Sequence, residues 1–260
     1  MTDFKVVTSK DNSLIKLVSS LQTSRKARKE HGMFVLEGAR ICDDAFDNGI
    51  GFDKLIVSDT AFLRLPDYIG KFKTVSKELY KIPDNLFERI SDTSSPQGII
   101  AVCNHSTVKS AEIRRDGRYI ALENVSDPSN LGAIARTAEA LGVSGIILSG
   151  GCDPFSPKAL RASMGTLLRM PVSIWEDFSV GLKSCGLKSY ACVVDGNAEK
   201  ISGMKFEDGC LLLIGNEANG LSESAVSGSD VRVTIPMSGR AESLNAAAAA
   251  AIAMWEMMKR

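Results

Sequence analysis

The chain has 260 residues, and its 31 lysine and arginine residues balance 31 aspartate and glutamate residues, which gives a formal net charge of zero. Apolar residues make up 44% and charged residues 24% of the chain, a composition typical of folded globular proteins. These values exclude a disordered chain, a collagen-like fibre and a protein that coats a polyanion through bulk positive charge.

Strands alternate with helices along the first 105 residues. Apolar residues from Leu14 to Leu21 recur at helical spacing and predict an amphipathic helix over 12–29. Short apolar runs predict strands at 33–37, 55–57, 72–75 and 98–103, with helices between them up to about 46, at 60–69 and at 77–90. This alternation predicts a small α/β domain over residues 1–105.

The end of the first predicted helix carries a basic run that consists of Arg25, Lys26, Arg28 and Lys29. Such a run is typical of a solvated helix face. It is also typical of a patch that contacts phosphates, because affinity for nucleic acid depends on where cations are placed. Both interpretations are open at this point.

Residues 106–117 are polar and charged and predict a linker, and a second α/β domain is predicted over 118–260. Its strands are predicted at 119–122, 145–148, 189–194, 211–214 and 231–235. Its helices are predicted at about 130–141 and about 242–258, the latter containing a run of alanine, which is a good helix former.

Several kinds of site are missing from the sequence. There is no G-x-S-x-G elbow, no G-x-x-x-x-G-K-[ST] loop, no H-E-x-x-H helix and no G-x-G-x-x-G after a strand. The six cysteines lack the paired spacing of a disulfide framework or a zinc site, so we expect free thiols in a reducing cytosol and no metal. No apolar stretch reaches about 18 residues and no signal peptide is recognisable, which predicts a cytoplasmic protein without a membrane partner.

The second half contains three polar segments that follow predicted strands. In the first, Asn130 stands where a helix N-cap is expected, and Arg136 lies six residues further on, so both can approach one site near the helix start. Arg136 is conspicuous on a helix of small apolar residues. It is either an ion-paired surface residue or a group that holds a phosphate or a polar substrate.

The other two segments carry further polar side chains. Glu217 lies in a loop from Gly215 to Gly220, a pattern typical of a tight turn or of a loop that approaches a ligand. Ser243 and Asn245 cluster where the last helix begins, and helix capping alone explains the pair poorly. Because ligands of open α/β sheets bind at the carboxyl ends of the strands, the three segments together predict a site.

The three segments resemble the signature motifs of the SpoU family of RNA ribose 2′-O-methyltransferases, within the SPOUT class. Residues 130–138 (NLGAIARTA) resemble its first motif, 213–221 (LIGNEANGL) its second and 235–245 its third, and 161–165 (RASMG) match an intervening stretch. The resemblance is strong over 118–260 and extends loosely to 34–40 (FVLEGAR), which is similar to the RNA-binding, L30e-like extension of many members. Residues 245–247 are Asn-Ala-Ala where members often have Asn-Val-Ser, a mild departure.

The resemblance implies a fold class, a cofactor and an assembly. The fold is a C-terminal SPOUT α/β-knot domain with a deep trefoil knot, preceded by a small L30e-like α/β domain that binds the RNA substrate. The cofactor is S-adenosylmethionine, held mainly by backbone groups at Gly215, Ile235 and Leu244. The assembly is a homodimer with the active site near the subunit interface.

The resemblance also implies the activity, which is S-adenosylmethionine-dependent methylation of a ribose 2′-hydroxyl in structured RNA. It nominates Arg136 as the activating group, and since guanidinium is not deprotonated in proteins, we expect it to act electrostatically and on a phosphate. Asn130, Glu217, Ser243 and Asn245 are expected to orient Arg136, the ribose or the cofactor.

The resemblance favours RNA over solvent as the partner of the basic run. Members with an N-terminal extension of this kind mostly act on large-subunit ribosomal RNA, which is therefore the expected substrate. The alternatives are a transfer RNA ribose methyltransferase and a non-catalytic RNA-binding or ribosome-assembly protein. Intact polar residues in all three motifs argue against the latter.

Overall fold

The structure, a computed structural model, describes residues 3–259, which divide between two structural units. The first unit comprises the chain up to Val108 together with Asp153–Arg169, and the second comprises Lys109–Cys152 together with the chain from Met170 onward. The elements before Val108 are β1 (Lys5–Val6), α1 (Ser13–Thr23), α2 (Arg25–His31), β2 (Met33–Glu37), α3 (Ala39–Asp47), β3 (Phe52–Ser58), α4 (Asp59–Arg64), α5 (Pro66–Lys73), β4 (Ser76–Ile82), α6 (Asp84–Ile90) and β5 (Ile99–Asn104).

The remaining elements, in chain order, are β6 (Arg118–Glu123), α7 (Pro128–Leu141), β7 (Gly145–Ser149), α8 (Pro157–Ala162), α9 (Thr166–Arg169), β8 (Val172–Ile174), α10 (Phe178–Ser184), β9 (Lys188–Cys192), β10 (Glu199–Lys200), β11 (Cys210–Ile214), α11 (Glu223–Ser227), β12 (Val231–Thr234) and α12 (Ala246–Met258). Of these, α8 and α9 belong to the first unit.

The first unit is built on a five-stranded sheet in the order β1-β4-β3-β5-β2. β5 pairs antiparallel with both β2 and β3, whereas β4 pairs parallel with β1 and β3. The apolar face of α1, with Val18 and Leu21 fully buried, packs on Val35, Ile56 and Ile100 of the sheet. The helical spacing of these side chains is thus explained by their burial.

The predicted helix over 12–29 is two helices that meet at Ser24. Ser24 has extended backbone angles (φ −118°, ψ 116°), and its Oγ accepts a hydrogen bond from the N–H of Ala27 at 3.2 Å. A serine that caps a new helix in this way ends the preceding one. The basic run therefore forms a short helix of its own, α2.

The predicted strand at 72–75 is wrong, because α5 continues to Lys73 and the strand β4 begins only at Ser76. The predicted helix at 77–90 is wrong in part, because residues 76–82 form β4 and only Asp84–Ile90 is helical. Leu79 and Ile82 are three residues apart, which fits helical spacing in the sequence. The strand is favoured by its neighbours, since β4 pairs with β3 on one side and with β1 on the other. Glu78 strengthens both pairings through Lys54 and Lys5, each at 2.8 Å.

The segment Asp153–Arg169 lies within the predicted second domain (118–260), yet it packs with the first unit. Asp153 accepts a hydrogen bond from Arg28 at 2.6 Å, and the ring of Phe155 stacks 4.2 Å from that of His105. Arg169 pairs with Asp44 at 2.6 Å. The first unit thus includes a segment that is distant in sequence. The assignment of residues 1–105 and 118–260 as functional domains stays a prediction.

The second unit is built on seven parallel strands in the order β10-β12-β9-β11-β6-β7-β8. Every residue of β7 and β11 is buried, as expected for parallel strands covered on both faces. Phe178 and Leu182 of α10 pack in one apolar cluster with residues of β6, β7, β9 and β11. The helix α12 packs against α7, β6 and β11. The predicted α/β class is confirmed.

The knot implied by the resemblance stays a prediction. Within residues 3–259, no helix has both the length and the apolar character needed to cross a bilayer.

Candidate active site

Three loops of the second unit leave the carboxyl ends of β6, β11 and β12. β11 pairs directly with β6, and β9 lies between β11 and β12. Because all these strands are parallel, their carboxyl ends share one edge of the sheet, where ligands of α/β folds usually bind. The predicted polar residues follow these three strands.

A chain of side-chain hydrogen bonds joins the three loops. Asn245 donates from Nδ2 to Oδ1 of Asn130 at 3.0 Å, and Asn130 donates from its own Nδ2 to Oε1 of Glu217 at 3.0 Å. A carboxylate can only accept, so Glu217 fixes which end of the Asn130 amide faces it. The structure therefore brings together three of the five predicted catalytic residues.

Glu217 is held by donors on both carboxylate oxygens. Oε1 also accepts from the N–H of Asp127 at 3.1 Å, and Oε2 accepts from the N–H and Oγ of Ser126 at 3.1 and 3.0 Å. Partial burial raises the pKa of this carboxyl, but the hydrogen bonds from Asn130, Asp127, Ser126 and its own backbone outweigh burial and lower the pKa from 4.5 to about 2. Glu217 is therefore ionised at neutral pH and is a weak proton acceptor.

Asn130 is not the helix cap that the sequence predicted. The helix α7 begins at Pro128, and the side chain of Asp127 accepts from the N–H of Ser129 at 2.8 Å as the N-cap. Proline suits the first helical position because it has no N–H to leave unpaired. Asn130 instead lies inside the first turn, where it is 7% exposed and directed to the neighbouring loops.

Asn245 has two roles at once. Its Oδ1 accepts from the N–H groups of Ala247 and Ala248 at 2.9 and 3.3 Å and caps α12, which begins at Ala246 and not at about 242. Its Nδ2 meanwhile holds Asn130. The start of the last helix is thus part of the site.

Arg136 and Ser243 do not join this hydrogen-bond chain. Six residues of α-helix correspond to about 9 Å of rise and about 240° of rotation, so Arg136 lies on a different face of α7 from Asn130. Arg136 is exposed and, within residues 3–259, makes no hydrogen bond or ion pair with another side chain. Ser243 is exposed as well and lines the cavity described next.

A cavity of about 480 Å³ opens beside the loop that follows β11. Gly215, Ser243 and Leu244 line it, and Ile235 lines a smaller adjoining cavity of about 90 Å³ together with Leu244. The three predicted cofactor residues thus line two adjoining cavities, and the volume of the larger one lies in the usual range of about 300–1,000 Å³ for ligand sites. Val193, Val194, Ile214 and Ala249 form an apolar part of its wall, and Glu217 and Glu242 lie on its polar part.

The loop beside this cavity is folded tightly on itself. Asn216 and Gly220 exchange backbone hydrogen bonds at 2.9 Å, and a Cβ on Gly215 would lie 2.0 Å from the carbonyl carbon of Gly220. Only glycine fits there. Apolar walls beside a rigid run of backbone amides and carbonyls suit a nucleoside with a short amino-acid chain, so the residues present fit S-adenosylmethionine.

Asn216 and Ser126 were not singled out in the sequence. Asn216 Oδ1 accepts from the N–H groups of Ala218 and Asn219, and its Nδ2 donates to the carbonyl of Asn124 at 2.8 Å. Asn216 therefore braces the loop that carries Glu217. The sequence signal that could have indicated Asn216 is an asparagine directly after a glycine at the end of a strand.

The basic run lies in the first unit and does not act as one group. Arg25, Lys26 and Lys29 are exposed, whereas Arg28 is 5% exposed and pairs with Asp153 at 2.6 Å. The prediction that Arg28 contacts RNA is corrected, because its guanidinium is buried and hydrogen-bonded within the unit. In the described part of the chain, no three His, Cys, Asp or Glu side chains cluster as metal ligands.

Two family models match the chain. The one described as the SpoU rRNA Methylase family matches residues 117–255, and the one described as the MRM3-like substrate binding domain matches residues 12–101. Together they cover most of both structural units.

Curated relatives and solved structures are similar over nearly the whole chain. A Bacillus subtilis protein named 23S rRNA (guanosine(2553)-2′-O)-methyltransferase RlmP is 28% identical over 97% of this chain and 99% of its own length. A Streptomyces viridochromogenes protein named 23S rRNA (uridine(2479)-2′-O)-methyltransferase is 28% identical over 93% of this chain and 88% of its own. A crystal structure of an AdoMet-bound rRNA methyltransferase from Sinorhizobium meliloti superposes with a TM-score of 0.83 at 30% identity, covering 97% of each chain.

Proposed function

The chain belongs to the SpoU rRNA methylase family and is an RNA methyltransferase, and we propose that it methylates a ribose 2′-hydroxyl of large-subunit ribosomal RNA with S-adenosylmethionine as the cofactor. The observation that carries this proposal is the hydrogen-bond chain from Asn245 through Asn130 to Glu217, beside a cavity that suits the cofactor. The relatives that methylate 23S ribosomal RNA support the choice of substrate.

S-adenosylmethionine supplies an electrophilic methyl group when it is bound. Gly215, Ile235 and Leu244 would hold it, with the apolar wall of Val193 and Ile214 against its uncharged parts. The tightly folded loop beside the cavity would position the reacting groups, and positioning supplies much of the rate of an in-line transfer.

The protein's own polar residues orient the ribose rather than accept its proton. Burial raises the pKa of Glu217, but its hydrogen bonds lower this pKa to about 2. Glu217 therefore does not take a proton near neutral pH. Its ionised carboxylate instead fixes the amide of Asn130. Ser243, which lines the cavity, is proposed to contact the cofactor or ribose, and Arg136 is proposed to contribute positive charge for the RNA phosphate.

The position of Arg136 supports a homodimer. Arg136 lies on the exposed face of α7, away from the hydrogen-bond chain of its own subunit. The neighbouring helix α12 exposes two large apolar side chains, Ile252 (40%) and Trp255 (56%). A second copy that covers these side chains would bring Arg136 toward a site completed by both subunits.

The first unit is proposed to bind the RNA through Arg25, Lys26 and Lys29, in keeping with the substrate-binding model that matches residues 12–101. The bacterial relatives act on ribosomal RNA, and we propose a cytoplasmic location and the knotted SPOUT topology for this chain as well.

The experiment is incubation of the full chain with methyl-labelled S-adenosylmethionine and ribosomal RNA, followed by mapping of alkali-resistant linkages. We expect label at a single ribose. Arg136→Ala should abolish transfer while cofactor binding, measured by calorimetry, persists. Arg115→Ala, which removes another exposed arginine of the same unit, is the matched control. Near-normal turnover of Arg136→Ala would refute the role of Arg136, and label on bases or on none of the RNA would refute the reaction.

A further inference from the structure

A second cavity lies next to the cofactor cavity in the same unit and has a different lining. Its volume is about 290 Å³, at the lower limit of about 300 Å³ for sites of drug-sized ligands, so it suits a smaller group. The two cavities share the loop residues Asn216, Asn219, Gly220 and Leu221. Glu123, Asn124 and Ser222 line only the second one.

The lining of this cavity contains a carboxylate and no cation. Glu123 is 7% exposed, and its two oxygens accept from the Oγ and the N–H of Ser222, both at 2.7 Å. Lysine and arginine are absent from the residues that line the space. A phosphate would therefore meet negative charge with no partner, whereas a neutral group that carries N–H donors would be favoured.

Two asparagine side chains at this cavity have no hydrogen-bond partner among the described residues. The side-chain amides of Asn124 and Asn219 are exposed, and neither makes a hydrogen bond within residues 3–259. Asn216 differs, since its amide braces the loop. An amide offers a donor and an acceptor side by side, which is the arrangement that matches the edge of a nucleobase.

Asn124 is also held in an unusual conformation. Its φ is +56°, a left-handed value that non-glycine residues seldom adopt and that glycine adopts freely. Its carbonyl accepts from Asn216, and its N–H donates to the carbonyl of Ser149 at 2.8 Å, so the backbone is fixed from both sides. The backbone of Asn124 is thereby held at a set position beside the cavity.

We propose that this cavity receives a nucleobase of the RNA, either that of the methylated nucleotide or that of its neighbour, and prefers a base with an exocyclic amine to uracil. The proposal rests on the proposed function, since it names the base that accompanies the ribose in the neighbouring site. The side-chain amides of Asn124 and Asn219 bind the base edge and its exocyclic amine, Glu123 makes the space unfavourable for a phosphate, and Leu221 covers one ring face. Adenine, cytosine and guanine each carry two N–H groups on that amine, whereas uracil offers only one ring N–H.

The test is binding of labelled oligoribonucleotides of equal length, oligo(A), oligo(C) and oligo(U), to the full chain in the presence of S-adenosylmethionine. The wild type should bind oligo(A) and oligo(C) about tenfold more tightly than oligo(U), which corresponds to about one hydrogen bond. Asn124→Gly combined with Asn219→Ala should bring the three affinities within about twofold, with oligo(U) binding unchanged. Glycine is chosen because it retains the left-handed backbone.

Asn197→Ala, an exposed asparagine of the same unit outside the cavity, is the control and should retain the preference. Equal binding of the three RNAs by the wild type, or a preference that survives in the double variant, overturns the proposal. The methylation assay separates this failure from failure of the proposed function. Ribose methylation without a base preference refutes only the assignment of the second cavity to a base. A base preference without methylation refutes only the proposed reaction.

Discussion

Replacing Glu217 with glutamine tests whether an ionised carboxylate holds the three loops together. Each carboxylate oxygen accepts hydrogen bonds from two residues. Asn130 and Asp127 donate to Oε1, and Ser126 and Asn216 donate to Oε2. An amide of the same shape must direct its NH₂ group at one of these sets. At least two donors would then lose their acceptor, so we expect the variant to be less stable.

The magnitude follows from the pKa of Glu217. Burial acts to raise this pKa, but the hydrogen bonds lower it from 4.5 to about 2. One pKa unit corresponds to about 1.4 kcal/mol, which gives about 2–3 kcal/mol after allowance for partial exposure. Because the pKa is lower in the folded chain, this stability is complete above about pH 5 and is lost as the pH falls from 4.5 toward 2.

The assay is urea unfolding followed by tryptophan fluorescence at pH 7 and pH 4. Both tryptophans, Trp175 and Trp255, lie in the second unit and therefore report on the part that contains Glu217. Glu217→Gln should lower the free energy of unfolding by about 2–3 kcal/mol at pH 7, and by about 1 kcal/mol less at pH 4. Glu199→Gln, at an exposed position of β10, is the control and should change it by less than about 0.5 kcal/mol. An equal loss of free energy of unfolding in Glu217→Gln at pH 7 and pH 4 would refute the reasoning.

Three further predictions concern the cofactor loop and the basic run. Gly215→Ala should abolish S-adenosylmethionine binding in calorimetry while circular dichroism stays unchanged, because the added Cβ would lie 2.0 Å from the Gly220 carbonyl carbon; full-strength binding would contradict the loop geometry. Arg28→Ala should cost about 3–5 kcal/mol in chemical denaturation, since it leaves Asp153 without its buried partner at 2.6 Å; a loss below about 0.5 kcal/mol would show the pair to be dispensable. Reversing the charges of Lys26 and Lys29 should weaken RNA binding and reduce the slope of its affinity against salt by about 2, and an unchanged slope would make the run an ordinary solvated face.

The site could be predicted to a large extent because its residues follow strand ends. A strand that leaves into a polar loop is visible in one sequence, and parallel strands bring their carboxyl ends to one edge. Asn130, Glu217 and Asn245 could therefore be expected to lie near one another, as they do. The family resemblance added the order and spacing of the motifs, and the match of the SpoU model to residues 117–255 confirms it.

Other features depend on partners that the sequence does not reveal. Arg28 is buried because Asp153, 125 positions away, lies against it, and no local pattern distinguishes it from its exposed neighbours. Residues 76–82 have helical spacing at Leu79 and Ile82, and only the flanking strands decide that they form β4. Tertiary pairing overrides local periodicity in both cases.

The double role of Asn245 makes the last helix a reporter of the site. The same amide closes the first turn of α12 through Oδ1 and holds Asn130 through Nδ2. Any opening of that turn must therefore release Asn130, and the two events share one local unfolding equilibrium. Hydrogen exchange at the amides of Ala247 and Ala248 should then slow when the site is filled. The occupancy of the site can thus be followed at backbone positions that touch no ligand.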